Sequence, residues 1–529
     1  MENYDAVIVG GGHNGLVAAG YLAKAGVRTL LLERREIVGG ACVTEEPWPG
    51  FRINTYSYVA GMLRPEIIDD LELRRFGFRT LPCVPSEFCP FPDGRSLTMW
   101  EDEESTLREI AKFSQRDART YPKYVEYWER TLDILEPLLL RPPAPLPELL
   151  AQLEAQGIDA LLRDLFLLSV EEFLDGWFES DQLKASLAIN GLIGEMCGPR
   201  TPGTAYVLAH HNATVLDGQR QAWGFAVGGM GRITEAMARA AQHYGAQIRV
   251  GAGVRRIRIR DGRAVGVETS TGEQIEARTV LSALDVRRTI LNLLPPDVLP
   301  EPELERVRKF RSDGASLKFN AALNSLPKFT AWKGPGQVHT GEVEIAPSME
   351  YLERAYDAGK YGRFSDGPYM DILFQSAADP SMAPPGKHTM TCFVQYAPYE
   401  LRGKTWDEFK PEAAEVVLRT LEEYAPDLRR TVEHSQVISP PDIERTVGLS
   451  GGNIFQGNMT PDQIFRFRPL IGWSGYRTPV PGLYLCASTA HPGGGVMGAP
   501  GHNAAQIVLA DLRSESHAGS PGLQKSPES

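Results

Sequence analysis

The chain of 529 residues carries 55 basic and 67 acidic side chains, a formal net charge of −12, with 42% hydrophobic and 23% charged residues. That length suggests two or three domains, and the composition fills a substantial core and excludes a disordered chain. The acidic balance and the absence of a long basic run exclude a surface built to gather nucleic-acid phosphates.

The chain opens with an apolar run, Tyr4 to Val9, that reads as a buried strand. A helix follows from Asn14 to Ala25, with Leu16, Ala19, Leu22 and Ala23 at helical spacing, and Gly26 stops it. Arg28 to Leu32 form a second apolar strand ending at Glu33, which completes a βαβ unit. Beyond a glycine turn at Gly39-Gly40 comes an aromatic segment, Phe51 to Tyr58, whose Tyr56, Ser57 and Tyr58 are candidates to line a cofactor or substrate tunnel or to pack in the core.

From about Glu101 to Gly224 the reading is mostly helical, interrupted by the proline-rich Arg141 to Pro147. The apolar side of Leu161 to Phe178 could cover a long substrate, touch a membrane or a partner subunit, or form core. Gly228 to Gly245 gives a glycine turn and an alanine-rich helix. Strands are predicted at Gln247–Val250, Val254–Arg260, Ala264–Thr269 and Thr279–Ala283, with Asp261-Gly262 as a hairpin turn. A different style runs from Leu291 to Asn453, with strands at Ala315–Leu323, Met370–Gln375, Thr389–Tyr396 and Val432–Ile438 and a helix at Trp406–Tyr424.

These pieces assemble most economically as an α/β protein: a Rossmann-like nucleotide-binding domain made from separated segments, with a mixed-sheet and helical substrate domain inserted. The boundaries are 1–75, 225–290 and 455–512 for the first, 76–224 and 291–454 for the second, with a disordered tail at 513–529.

The sharpest local signal is Gly10-Gly11-Gly12-His13-Asn14-Gly15, which fits GxGxxG at Gly10, Gly12 and Gly15 between a strand and a helix. Such a turn lets bare backbone approach a pyrophosphate at a helix start, and His13 and Asn14 decorate it. Glu33 suits the ribose hydroxyls and would repel the extra phosphate of NADP, which leaves FAD or NAD.

The run ERREIVGGACVTE, residues 33 to 45, resembles the flavoprotein pattern in which an acid after the second strand precedes paired glycines beside FAD. The terminal run PGLYLCASTAHPGGGVMGAPGHNAAQIV, residues 481 to 508, is similar to the ending of phytoene desaturases, ketolase-type carotenoid enzymes and retinol saturase. It most resembles the group called pyridine nucleotide-disulfide oxidoreductase domain-containing protein 2. The resemblance implies FAD as cofactor, held by Gly10, Gly12, His13, Asn14, Gly15, Glu33, Arg34, Gly39, Gly40 and Ala41 at one end of the chain and Gly494, Gly495, Val496 and Gly498 at the other. It also implies backbone contact with the adenine at Val254 and a place for Ala283 under that end. Where many relatives carry Gly-Asp before the last helix, this chain has Ala487-Ser488, so backbone N–H groups are expected to bind more of the anion.

No HExxH sequence and no metal-ligand pattern occurs. The six cysteines, Cys42, Cys83, Cys89, Cys197, Cys392 and Cys486, contain no CxxC pair, so buried free thiols are expected rather than a dithiol centre. The reading is an FAD-dependent oxidoreductase acting on a hydrophobic unsaturated substrate, a polyene, isoprenoid or lipid, by desaturation, saturation or redox isomerisation. A flavin amine oxidase and a flavin-bound, non-catalytic interaction or regulatory protein stay open. His491 is the one catalytic candidate, and His502 reads as a surface or supporting residue. With neither a secretory leader nor an 18-residue apolar run, a cytoplasmic location is expected, with peripheral membrane contact and homo-oligomerisation left open.

Overall fold

The computed structural model describes residues 3–155, 160–334 and 338–518. The opening strand, Asn3–Val9, is apolar on both faces because both are covered. Ala6 and Ile8 pack with the helix His13–Lys24, and Val7 and Val9 pack on the other side with Ile290, Val307 and Phe310. It pairs in parallel with Thr29–Leu32 (Ala6 opposite Thr29) and with Gln274–Ser282 (Val9 opposite Ser282).

Gln247–Arg249 adds outside Thr29–Leu32, and Leu483–Leu485 docks on Val280 to Ser282, so segments from the start, middle and end of the chain share one parallel sheet. The antiparallel ribbon Val254–Arg260 and Arg263–Thr269 extends it, turning at Asp261-Gly262 with both residues at positive φ, 50° and 72°. The helices Gly231–His243 and Ala499–Ala518 flank His13–Lys24 on one face. The last helix takes in the first six residues of the expected tail, since Arg513 to Ala518 continue it; 519–529 lie outside the described residues.

The inserted domain is built on a seven-stranded sheet in the order Val432–Ile438, Ser316–Leu323, His388–Gln395, Tyr369–Leu373, Glu342–Ile345, Glu87–Pro90 and Ser96–Met99. Its last two strands precede the helical region in the chain and, with Glu342–Ile345, are not among the strands expected from the sequence. One face is apolar: Leu317, Phe319, Val343, Ile345, Met370, Ile372 and Val394 pack with Trp406, Phe409 and Val417 of the helix Trp406–Glu422.

The opposite face carries Lys318, Asp371, Glu342 and Glu344 and looks toward the helical layer. The strand predicted to reach Gln375 ends at Leu373, because Gln375 begins a helical turn and its amide joins Asn54 to the Ala226 carbonyl. Of the roles open for the Leu161 to Phe178 stretch, core is what the side chains form: Leu161, Leu165, Val170, Phe173, Leu174 and Phe178 pack around Trp128. All six cysteines are buried free thiols. Among the described residues no helix is long and apolar enough to cross a membrane.

Candidate flavin and substrate site

Gly10, at φ +101°, turns the chain out of the first strand, and a Cβ on Gly15 would stand 2.2 Å from the Gly10 carbonyl oxygen. Only glycine lets strand and helix approach this closely. Gly12 differs: a Cβ there would meet nothing within 4 Å, so no protein atom covers its bare face. No side chain caps the helix start, which leaves its first N–H groups free for an anion.

The second glycine pair folds over the first, Gly39 N donating to Gly11 O at 2.7 Å while Gly40 stands against Gly12. Ala41 lines the cavity that begins here. The buried Glu33 carboxylate accepts from Gly11 N at 2.7 Å and Arg35 N at 2.8 Å. Ala252 N donates to Glu33 O, which brings the approach to Val254 beside the acid, and Ala283 lies under the turn, its Cβ 3.0 Å from where a Cβ on Gly15 would be.

Arg34 goes elsewhere than the cofactor contact expected of it: its guanidinium donates to Thr446 O at 2.6 Å and Arg445 O at 3.2 Å, at the end of the helix Pro440–Val447. Those free carbonyls attract the cation more directly than the crevice does.

The terminal glycine turn closes a candidate cofactor cradle. Ser488 Oγ accepts from Asn14 Nδ2 at 3.1 Å, and the His13 ring lies against the Gly495 backbone, its pKa lowered by burial to about 4. The bare faces of Gly494, Gly495 and Gly498 are covered by Phe455, Met62 and Ile67 respectively, so what this turn offers a ligand is backbone. His210 Nε2 donates to Gly494 O at 2.9 Å and holds it, while Gly495 and Val496 line the cavity. Around the cradle, Asn14 Oδ1, His13 Nε2, Ser57 Oγ and Thr489 Oγ1 are buried without a hydrogen-bond partner. Orphaned polar atoms beside an open backbone turn fit a polar cofactor such as FAD.

The catalytic expectation for His491 is not met by its placement. Its Nε2 donates to Leu138 O at 3.0 Å, its ring packs against Phe465, and it does not line the cavity. Burial lowers it to about 4, so it is a neutral packing residue that pins the long helix Gln115–Leu139. His502 sits edge-on to Tyr21 and bonds Asn503, a supporting position.

The groups positioned for chemistry come from the substrate sheet. One cavity is lined by His13, Ala41 and Val496, by Tyr56, Tyr58, Trp223 and Phe455, and by the buried Lys318, Asp371 and Glu342. Tyr58 stacks on Phe393 at 5.5 Å, and Lys318 Nζ stands 3.9 Å over the Tyr58 ring. Lys318 Nζ, Asp371 Oδ1 and Glu342 Oε1 are buried with no hydrogen-bond partner. Burial draws the Lys318 ammonium down to about 7 and pushes Asp371 up to about 6, the tyrosine hydroxyl and the lysine holding the latter in check. Also lining it, the exposed Asp217 accepts from Arg74 and from Thr80 Oγ1, each at 2.6 Å.

None of these stands out in the sequence, where Lys, Asp and Glu at alternate strand positions read as a solvent face. The usable signal was that SLKFN, GEVEI and YMDIL lie in one insertion.

The cavity wall is held by Arg468, which is fully buried and donates to five backbone carbonyls, those of Phe455, Gly457, Asn458, Gln463 and Ser488, at 2.7 to 3.2 Å. Glu195, also buried, is raised by burial to about 8 and accepts from Met459 N.

Comparison with known proteins agrees with this arrangement. Residues 15–509 match the family described as flavin containing amine oxidoreductase. The chain is 39% identical to pyridine nucleotide-disulfide oxidoreductase domain-containing protein 2 of Rattus norvegicus, covering 96% of this chain and 94% of that protein. It is 26% identical to a limonene dehydrogenase component of Castellaniella defragrans, covering 97% and 95%. Among solved structures, a putrescine oxidase bound to putrescine shares the fold, with a TM-score of 0.60 at 16% identity over 97% of this chain and 99% of that one. The chain therefore belongs to the flavin containing amine oxidoreductase family, and it is an FAD-dependent oxidoreductase.

Proposed function

We propose that the protein oxidises an amine whose body is apolar. The observation that carries this reading is the lining of the cavity: aromatic walls together with Asp371 and Glu342, each with a carboxyl oxygen that no protein group satisfies. A hydrocarbon seated there would leave those oxygens unpaired in a dry pocket, at a cost of about 1–3 kcal/mol each. An ammonium group would pair them. The family to which the chain belongs and the putrescine-bound neighbour in fold support the same reading.

FAD, when bound, supplies the two-electron acceptor. Gly12, Gly39, Gly40 and the start of the helix His13–Lys24 would hold its phosphates, Glu33 a ribose, and the Gly495-Val496 backbone its far end. The remaining work belongs to side chains. Asp371 and Glu342 orient the ammonium, the aromatic walls exclude water, and Lys318, neutral above about pH 7, takes the proton that must leave the nitrogen before oxidation. Asp371 then faces the lysinium that forms.

Anaerobic mixing of the holoprotein with a panel of aliphatic and aryl-alkyl amines should bleach the flavin, and Asp371→Asn should weaken that response chiefly through KM. Bleaching by none of the amines but by an isoprenoid hydrocarbon would reverse the assignment. That second reading, dehydrogenation of an unsaturated hydrophobic compound, draws on the apolar walls of Met62, Leu63, Ile193 and Ile454 and on the likeness to the limonene dehydrogenase component.

A further inference from the structure

The acidic groups of the substrate sheet do not stop at the cavity. Asp371 lies directly across from Glu344 on the neighbouring strand, and Glu342 lies directly across from Glu87 on the next. Ser186 bridges the two lines, its Oγ 3.5 Å from Glu344 Oε2 and 3.3 Å from Glu87 Oε2. Cys89 donates into the same knot, 3.2 Å from Glu344 and 3.3 Å from Ser186. Asp371 and Glu342 face the cavity and are buried, whereas residue Glu87 is only partly buried. Four carboxyl groups on one covered sheet face are costly, and no arginine or metal ligand set accompanies them among the described residues.

Oxidising a substrate by two electrons and two hydrogens sends one hydrogen to the acceptor with the electron pair and leaves one proton in the cavity. This holds whether the bond oxidised is beside nitrogen or between carbons. We propose that this row is a proton conduit, carrying the released proton from Asp371 to its cross-strand neighbour Glu344 and through Ser186, and from Glu342 toward its cross-strand neighbour, to Glu87 and out to solvent. Each transfer protonates one carboxylate as its neighbour is deprotonated, and the loss of one proton from Glu87 to water restores the row.

The other groups facing it are Lys318, Tyr58, Tyr369, Tyr121, Cys83 and Cys89. Burial holds the phenols and thiols protonated well past neutrality, so besides Lys318 only the carboxyls exchange. Glu87 is raised by burial to about 7, and Glu342 and Glu344 further, so the row holds protons it can pass on at neutral pH.

The conduit rests on the oxidoreductase reaction alone and not on the amine reading, and its test needs no substrate. The infrared spectrum of the purified holoprotein near neutral pH should show the carbonyl band of protonated, buried carboxyls, diminished in Glu344→Gln. On transfer to D2O the band shifts at the rate at which the row exchanges with solvent. Glu87→Gln, at the solvent end, and Ser186→Ala, at the bridge, should each slow that shift on the order of tenfold or more, and Glu87→Asp should restore it. Absence of the band in the wild type, or wild-type exchange in both Glu87→Gln and Ser186→Ala at equal flavin content, would overturn the proposal. An amine panel that failed to bleach the flavin would leave it untouched.

Discussion

Gly12 and Gly15 stand three positions apart in one motif and do opposite things. Gly15→Ala puts a methyl group 2.2 Å from a backbone oxygen, and the expected outcome is poor folding with a thermal midpoint well below wild type. Gly12→Ala meets no protein atom and has ordinary φ, so it should fold normally and yet purify with less flavin, read as visible absorbance per chain. Equal flavin content in wild type and Gly12→Ala would remove the phosphates from this turn.

Lys318 makes a second residue-scale prediction. Its folded-state pKa is lowered, so it is cationic below about pH 7 and neutral above, and turnover that needs the neutral form should rise with pH through about 7. Lys318→Met should cost about 10²-fold in turnover and abolish that limb while retaining flavin. The same depression means that the lysine opposes folding most below pH 7, and that this penalty fades as pH rises toward the ordinary lysine value.

Among the elements, the stretch Phe455 to Gln463 contains only a short 3-10 turn, and Arg468 stands in for missing secondary structure by tying its carbonyls to Ser488. Arg468→Met would leave these buried carbonyls without their donor. The expected loss is about 3 kcal/mol or more, measured by denaturant unfolding of the flavin-bound protein. The parallel sheet was legible in the sequence because Asn3–Val9, Thr29–Leu32 and the end of Gln274–Ser282 are short apolar runs, a cue that is local. The substrate sheet was legible only in part: Ser316–Leu323 and His388–Gln395 were apolar enough to find, but Glu342–Ile345 and Glu87–Pro90 alternate with acids and look like exposed or irregular chain. Burial of those acids depends on the helical layer packed over them, which no local pattern announces.

At the level of the whole molecule, the candidate cofactor cradle joins residues 10–15, 33, 39–41, 252–254, 283 and 494–498, so it exists only when segments from both ends of the chain have come together. FAD should therefore bind the folded chain alone. At about 100 times its Kd it should add about 2.7 kcal/mol of stability to the apoprotein. The thermal midpoint followed against FAD concentration checks this, and a midpoint that ignores FAD would mean that the two ends do not form one site.

The nucleotide-binding half was determined by the sequence alone, since a tight turn, a ribose acid and paired glycines are backbone requirements that only a few residue types can meet. Arg34 and His491 show the limit of that reasoning, for each had the right chemistry at the right place in the motif, and each was drawn to nearby carbonyls instead. Which charged groups line the cavity was decided by tertiary structure. Whether Lys318, Asp371 and Glu342 meet water or one another depends on which face of a sheet is covered, and that is set by packing between segments more than 100 residues apart.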